Sequence, residues 1–164
     1  MKETERKKRN KTRLRECYPK FARLVEKVLS ELEGQDIRPR IQEAWRSPVD
    51  QLEAYNRGNS KLKFGFHNVT AQNGSPEALA VDILDDDAPL NPSVCYLLKL
   101  AVAARKNGLQ TGILWGLPKR LADSTDLSIR LGDFDTKVKV GWDPCHVEVT
   151  GLTLTDVKKG ARPS

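Results

Sequence analysis

The sequence predicts an α+β fold, a single domain with a mainly antiparallel central sheet and helices packed on it. Three observations lead there. The 164 residues suffice for one hydrophobic core. Two stretches, Cys17 to Leu32 and Pro92 to Asn107, repeat apolar residues at intervals of three and four, as amphipathic helices do. The strand-like runs are grouped apart from these helices, a pattern that favours antiparallel pairing over βαβ units.

Residues 1 to 15 are polar and read as a basic, flexible N-terminus, frayed or only loosely helical. In the helix from Cys17 to Leu32, Phe21, Leu24, Val25, Val28, Leu29 and Leu32 form the apolar stripe, and Gly34 ends it. Ile37 to Trp45 reads as extended. Ser47 is a fair N-cap, with Pro48 at the first helical position and Asp50 in the first turn, so a helix is expected from 48 to 57, closed by Gly58. After a loop at 59 to 63, Phe64-Gly65-Phe66 leads to His67, and 68 to 77 has the Gly, Ser, Pro and Asn content of a surface loop. Ala78 to Leu84 reads as a buried strand whose one interior charge is Asp82. Asp85-Asp86-Asp87 lacks the EF-hand spacing and is expected to be a solvated turn.

Val94, Leu97, Leu98, Leu100, Ala101 and Ala104 define the second strong helix, ended at Asn107-Gly108. Leu109 to Trp115 is expected to be a strand and 117 to 126 a loop or short helical turn. Leu127 to Leu131 and Lys137 to Trp142 read as two further strands, and a last strand runs through His146 to Thr150. The expected organisation is a folded domain over 16 to 156 with a loose basic tail over 157 to 164.

The net charge of +6 is concentrated at the ends: Lys7, Lys8, Arg9, Lys11, Arg13 and Arg15 near the start, and Lys158, Lys159 and Arg162 in the tail. Solvated ends around a nearly neutral body are the favoured reading, and a tether to an anionic polymer is the sharper one. Aromatic residues are not interleaved with the basic ones as a base-stacking platform requires, so no specific nucleic-acid partner is expected. Three cysteines without a CxxC spacing read as reduced thiols of a cytoplasmic product. No apolar run follows the basic N-terminus and none is long enough to span a membrane, so cytoplasmic synthesis without a signal peptide is expected, as is a monomer.

The chemistry-bearing stretch is Gly141-Trp142-Asp143-Pro144-Cys145-His146-Val147-Glu148. The chain has two histidines, His146 here and His67 upstream, and a carboxylate in an apolar strand, Asp82, is costly unless paired or metal-bound. His67, Asp82 and His146 are a donor set that Zn²⁺ accepts. Asp143 is the candidate base and Arg46 the cation for a developing oxyanion. In an extended strand Glu148 shares a face with His146, where it could orient the imidazole or hold a substrate amine; Cys145 points the other way and reads as packing.

These segments resemble the signature of the LAS metallopeptidases: the zinc D-alanyl-D-alanine carboxypeptidases and dipeptidases, and the L-alanyl-D-glutamate endopeptidases of phage endolysins. The family motif Ser-x-His-x-x-Gly-x-Ala-x-Asp is similar to Gly65-Phe66-His67-Asn68, an inserted loop, and Ala78-Leu79-Ala80-Val81-Asp82. Its acidic-x-x-His-x-Glu motif is similar to Asp143-Pro144-Cys145-His146-Val147-Glu148, and Trp142 before an aspartate is nearest the endolysin type. Ala44-Trp45-Arg46-Ser47 with Gln51 resembles the family's Gly-Tyr-Arg-Ser and following Gln. The resemblance spans about 35 to 150 in the family's motif order. It implies Zn²⁺ as cofactor, peptidoglycan stem peptide as substrate, and action on the cell wall after release through a holin-type pore or lysis. It further implies that Arg46 binds substrate and stabilises the tetrahedral intermediate. The alternatives are a catalytically degenerate cell-wall or peptide binder and, behind it, a basic nucleic-acid-binding module.

Overall fold

In the computed structural model, which describes residues 1–164, the chain runs α1 (Glu3–Leu14), α2 (Pro19–Glu33), β1 (Pro39–Glu43), α3 (Pro48–Asn56), a 3-10 turn (Phe66–Asn68), β2 (Ala80–Asp85), α4 (Val94–Lys106), β3 (Leu109–Gly112), α5 (Lys119–Leu131), β4 (Asp143–Val149) and α6 (Leu154–Lys158). The four strands form one sheet in the order β1-β2-β4-β3, with every neighbouring pair antiparallel. No helix is long and apolar enough to cross a membrane.

Strand alternation splits the sheet into two chemically different faces. Val81, Ile83, Val147 and Val149 point into a core of 26 buried residues together with Phe21, Val25, Val28 and Leu32 of α2 and Leu98, Leu100, Ala101 and Ala104 of α4. Tyr96 of α4 ties this layer to the sheet, its buried hydroxyl donating to the Ile83 carbonyl at 2.6 Å. The other face carries Asp82, His146 and Glu148. The helix caps follow the local sequence: Ser47 accepts from the Asp50 amide at 3.1 Å at the start of α3, and Ser93 does the same for Tyr96 in α4. Between α2 and β1 the chain reverses at Asp36, whose φ of 60° is left-handed, while Gly34 keeps helical geometry.

Five sequence expectations are corrected. Residues 1 to 15 are not a flexible end. They form α1, in which Arg6 is buried and bridges Glu3 and Glu33. Helix α1 also lies along the outer edge of β1: the Asn10 side chain donates to the Pro39 carbonyl at 2.9 Å and accepts from the Ile41 amide at 2.8 Å, and Arg9 donates to the Ile41 carbonyl at 3.1 Å. A side-chain amide thus completes the ladder that an edge strand leaves open.

Leu127 to Leu131 is the end of α5, not a strand. Its Leu-x-Ile-x-Leu alternation misleads because Leu127 and Leu131 are exposed; the buried positions are Thr125, Ser128 and Ile129, at helical spacing. Nor do residues 137 to 142 enter the sheet. Their backbone packs on the turn after β3, with Trp142 N–H donating to the Trp115 carbonyl at 3.1 Å and Thr125 holding the Lys139 carbonyl at 2.6 Å.

The acidic turn is not wholly solvated: Asp86 is buried against Arg40 at 3.0 Å and Arg38 at 3.1 Å. The tail is anchored as well. Val157 of α6 is in the core, and Arg162 pairs with Glu77 at 2.7 Å and donates to the Thr70 carbonyl.

Candidate metal centre and cleft

His67, Asp82 and His146 converge. Their facing atoms form a triangle: His67 Nε2 to His146 Nδ1 3.3 Å, His67 Nε2 to Asp82 Oδ1 3.5 Å, and His146 Nδ1 to Asp82 Oδ1 3.3 Å. Sheet register explains half of this, because Asp82 and His146 are directly opposite each other on β2 and β4. The 3-10 turn supplies the rest. It is sewn to the segment before α3: the Arg46 amide donates to the His67 carbonyl at 2.9 Å, and the fully buried Asn68 donates to the Arg46 carbonyl at 3.0 Å while accepting from the Gly65 amide at 2.7 Å. At Gly65 the backbone is extended and a Cβ would find nothing nearer than 3.8 Å, so the Asn68 cap, rather than any need for glycine, organises the turn.

The outer nitrogens of both imidazoles are occupied. His67 Nδ1 lies 2.6 Å from the Ala44 carbonyl, which can only accept, so that nitrogen carries the proton. His146 Nε2 lies 2.8 Å from Glu148, itself held by Gln110 at 2.9 Å. With the inner ring nitrogens deprotonated, as metal binding requires, two lone pairs and a carboxylate oxygen would face one point with no hydrogen among them. A cation resolves that conflict. Zinc bonds of about 2.0 Å set tetrahedral donors about 3.3 Å apart, the spacing observed here, and outer imidazole nitrogens tied to a carbonyl or carboxylate are the usual support for metal-binding histidines. The three residues thus form a group that could hold a metal ion.

The electrostatics agree with a site built for positive charge. Burial raises the Asp82 pKa, but hydrogen bonds from His146 and His67 outweigh it and hold the carboxyl well below its usual range. Burial lowers the His146 pKa, yet Asp82 and Glu148 push it up to about 9 in the metal-free site. Asp143, at the start of β4, has an oxygen 3.8 Å from His146 Nδ1. Its pKa is raised, first by burial, against the pull of His146 and with a push from Asp82. Cys145 packs against the core with its thiol pushed up to about 12 by burial, as its opposite-face position implied.

His67, Asp82, Asp143, His146 and Glu148 line a cleft of about 560 Å³ that also includes Arg46, Gln51, Lys61, Trp115 and Trp142. No family profile matches the chain, and no curated protein matches it. Among solved structures, the L-Ala D-Glu endopeptidase ChiX of Serratia marcescens is similar, with a TM-score of 0.53 and 20% identity over 87% of this chain and 86% of that one. The likeness is one of fold.

Arg46 reaches the cleft but not the triangle. Glu43 grips it with two bonds of 2.7 Å, and Gln51 accepts from its Nη1 at 3.1 Å. Glu43 sits across from Asp82 in the β1–β2 register, beside a bulge. Sequence reasoning missed Glu43 and Gln110. The three-residue spacing of Glu43 and Arg46 was a usable signal; Gln110 carried none, because its place opposite Glu148 depends on the β3–β4 register. Trp142 is largely exposed at the rim, tilted against Trp115 at 5.4 Å, and Trp115 packs on the His146 ring at 5.1 Å.

Proposed function

We propose that this chain is a metal-dependent peptidase that hydrolyses peptidoglycan stem peptides at a bond of the L-Ala-D-Glu or D-Ala-D-Ala type. The observation that carries the reading is the triangle of donor atoms at 3.3 to 3.5 Å with a half-buried acid, Asp143, beside it. Two imidazoles and one carboxylate make zinc the preferred ion. When bound, it supplies Lewis acidity, polarising a carbonyl and lowering the pKa of a water towards about 7.

The chain's own residues supply the rest. Asp143, made more basic by burial, takes a proton from the attacking water at a carboxylate oxygen and returns it to the leaving amine. Three of the five guanidinium donors of Arg46 are used by Glu43 and Gln51, which leaves two for the oxygen that gains negative charge. Of the two roles open to Glu148, its contact with His146 favours orienting the imidazole. Trp115 and Trp142 form an apolar wall that limits water. The motif order along the chain and the fold likeness to an L-Ala D-Glu endopeptidase support the choice of substrate.

The test is digestion of purified peptidoglycan with and without chelator, with new amino termini read by mass spectrometry, alongside Asp143→Ala. The parent should release new amino termini, lose the activity on chelation and regain it with zinc. Asp143→Ala should fall by at least about 10²-fold while still binding metal. Parental cleavage by that variant would remove Asp143 from its role, and retained metal without any product from the parent would leave a wall-binding protein.

A further inference from the structure

The charges of the cleft are unevenly partnered. Its acids are Asp82, Asp143 and Glu148, and its cations besides the two imidazoles are Arg46 and Lys61. Arg46 is neutralised by Glu43. Lys61 pairs with no carboxylate of the chain; its ammonium stands 5.9 Å from the centre of the Trp142 ring, across the mouth of the cleft. Attraction to the face of the indole keeps the charge at the rim instead of in bulk solvent.

The segment bearing Lys61 is tied to the reactive centre. Buried Gln51 donates from Nε2 to Ser60 Oγ at 2.8 Å and to the Leu62 carbonyl at 2.6 Å, while its Oε1 accepts from Arg46. One amide thus contacts both cation-bearing segments, Lys61 through its two chain neighbours and Arg46 directly. A neutral peptide has no use for an unpartnered ammonium at that rim, whereas a peptide with a free acid does.

We propose that Lys61 is a specificity residue that binds a substrate carboxylate, so that the cleft selects peptides with a free acid group on a residue flanking the cleaved bond. The proposal rests on the peptidase reading and narrows its substrate class. The probe peptides are kept uncleaved by using an Asp143→Ala background loaded with zinc, and binding is followed by tryptophan fluorescence. The probes are an L-Ala-D-Glu peptide with its glutamyl carboxylate outside the peptide linkage left free, and the same peptide with that group as a carboxamide. The acid should bind about tenfold more tightly, the scale of one charge-assisted hydrogen bond in a partly exposed site. Lys61→Met should bring the ratio to within about twofold, and Lys61→Arg should keep most of the preference. Equal binding of acid and amide, an unchanged ratio in Lys61→Met, or no binding of either peptide overturns the proposal. Cleavage is scored separately with the parent chain: acid preference without cleavage sinks the peptidase reading alone, and cleavage without acid preference sinks this one alone.

Discussion

Glu148 touches no candidate metal-facing atom, yet it decides which nitrogen of His146 is free. Its Oε2 accepts a hydrogen bond from His146 Nε2–H at 2.8 Å, and Gln110 donates to its other oxygen at 2.9 Å. Glu148→Ala should weaken zinc binding by about 10- to 100-fold, measured by competition with a chromogenic chelator, and Gln110→Ala by less. Unchanged affinity in Glu148→Ala would show that the tautomer is set elsewhere. Gly141 matters for a different reason. A Cβ there would lie 2.4 Å from the Trp115 carbonyl oxygen and 2.5 Å from its nitrogen, backbone atoms that cannot step aside. Gly141→Ala should cost about 1 to 3 kcal/mol, read as a Tm lowered by roughly 3 to 10 °C, and should shift Asp143 two residues on. At this scale the candidate site was largely legible. With two histidines in the chain, few donor sets were available, and an aspartate inside Ala-Val-Asp-Ile demanded a partner. What escaped, Glu43 and Gln110, are residues whose meaning is a register partner on another strand.

Helix α1 was illegible for an instructive reason. Its sequence has almost no apolar stripe, so periodicity gives no hint of docking; the contacts are made by Arg6, Arg9 and Asn10 to the backbone of β1. Hydrogen bonding from Arg6 and then Arg38 holds the Glu3 carboxyl at about 2, well under its ordinary 4.5. A carboxyl depressed on folding contributes stability that is fully present above about pH 4.5 and is lost as pH falls through about 2. Protection factors of the amides across α1 and β1, corrected for the intrinsic exchange rate at each pH, should therefore stay high at pH 5 and fall between pH 4 and 2, and Glu3→Gln should flatten that dependence. A fall of the same size in the variant would assign the effect to other carboxyls. Helix α5 was misread because Leu127 and Leu131 are exposed apolar residues, which imitate a strand's alternation while three polar or mixed positions make the buried face. Helices α2 and α4 were readable from their apolar stripes, and α3 from its Ser47 cap and Pro48, although the one buried residue of α3 is Gln51.

Across the whole molecule, one face of the sheet is core and the other is chemistry, and a loop separates two of the candidate ligands, His67 and Asp82, along the chain. Residues 69 to 77 leave the 3-10 turn and return to it: the Leu79 amide donates to the Phe66 carbonyl at 3.0 Å, and Thr70 pairs with Pro76. Within the excursion, Ala71 accepts from Gly74 and donates to Ser75, so the tip closes on itself. Replacing residues 71 to 75 by Asn-Gly should leave zinc affinity within about twofold, since loop length enters closure entropy only logarithmically; loss of metal binding would show that the tip supports the site. The α+β class was predicted, but not because helices and strands are grouped: they alternate along the chain, and the class lies in the antiparallel pairing of all four strands, which like their order depends on long-range contacts that local patterns do not encode.

The side-chain amide of Asn10 on the flank of β1 has a consequence beyond stability. A sheet margin already saturated by its own chain offers no template to another copy, and the opposite margin, β3, is four residues long. Molecules at high concentration should therefore stay separate instead of growing into fibrils by strand addition.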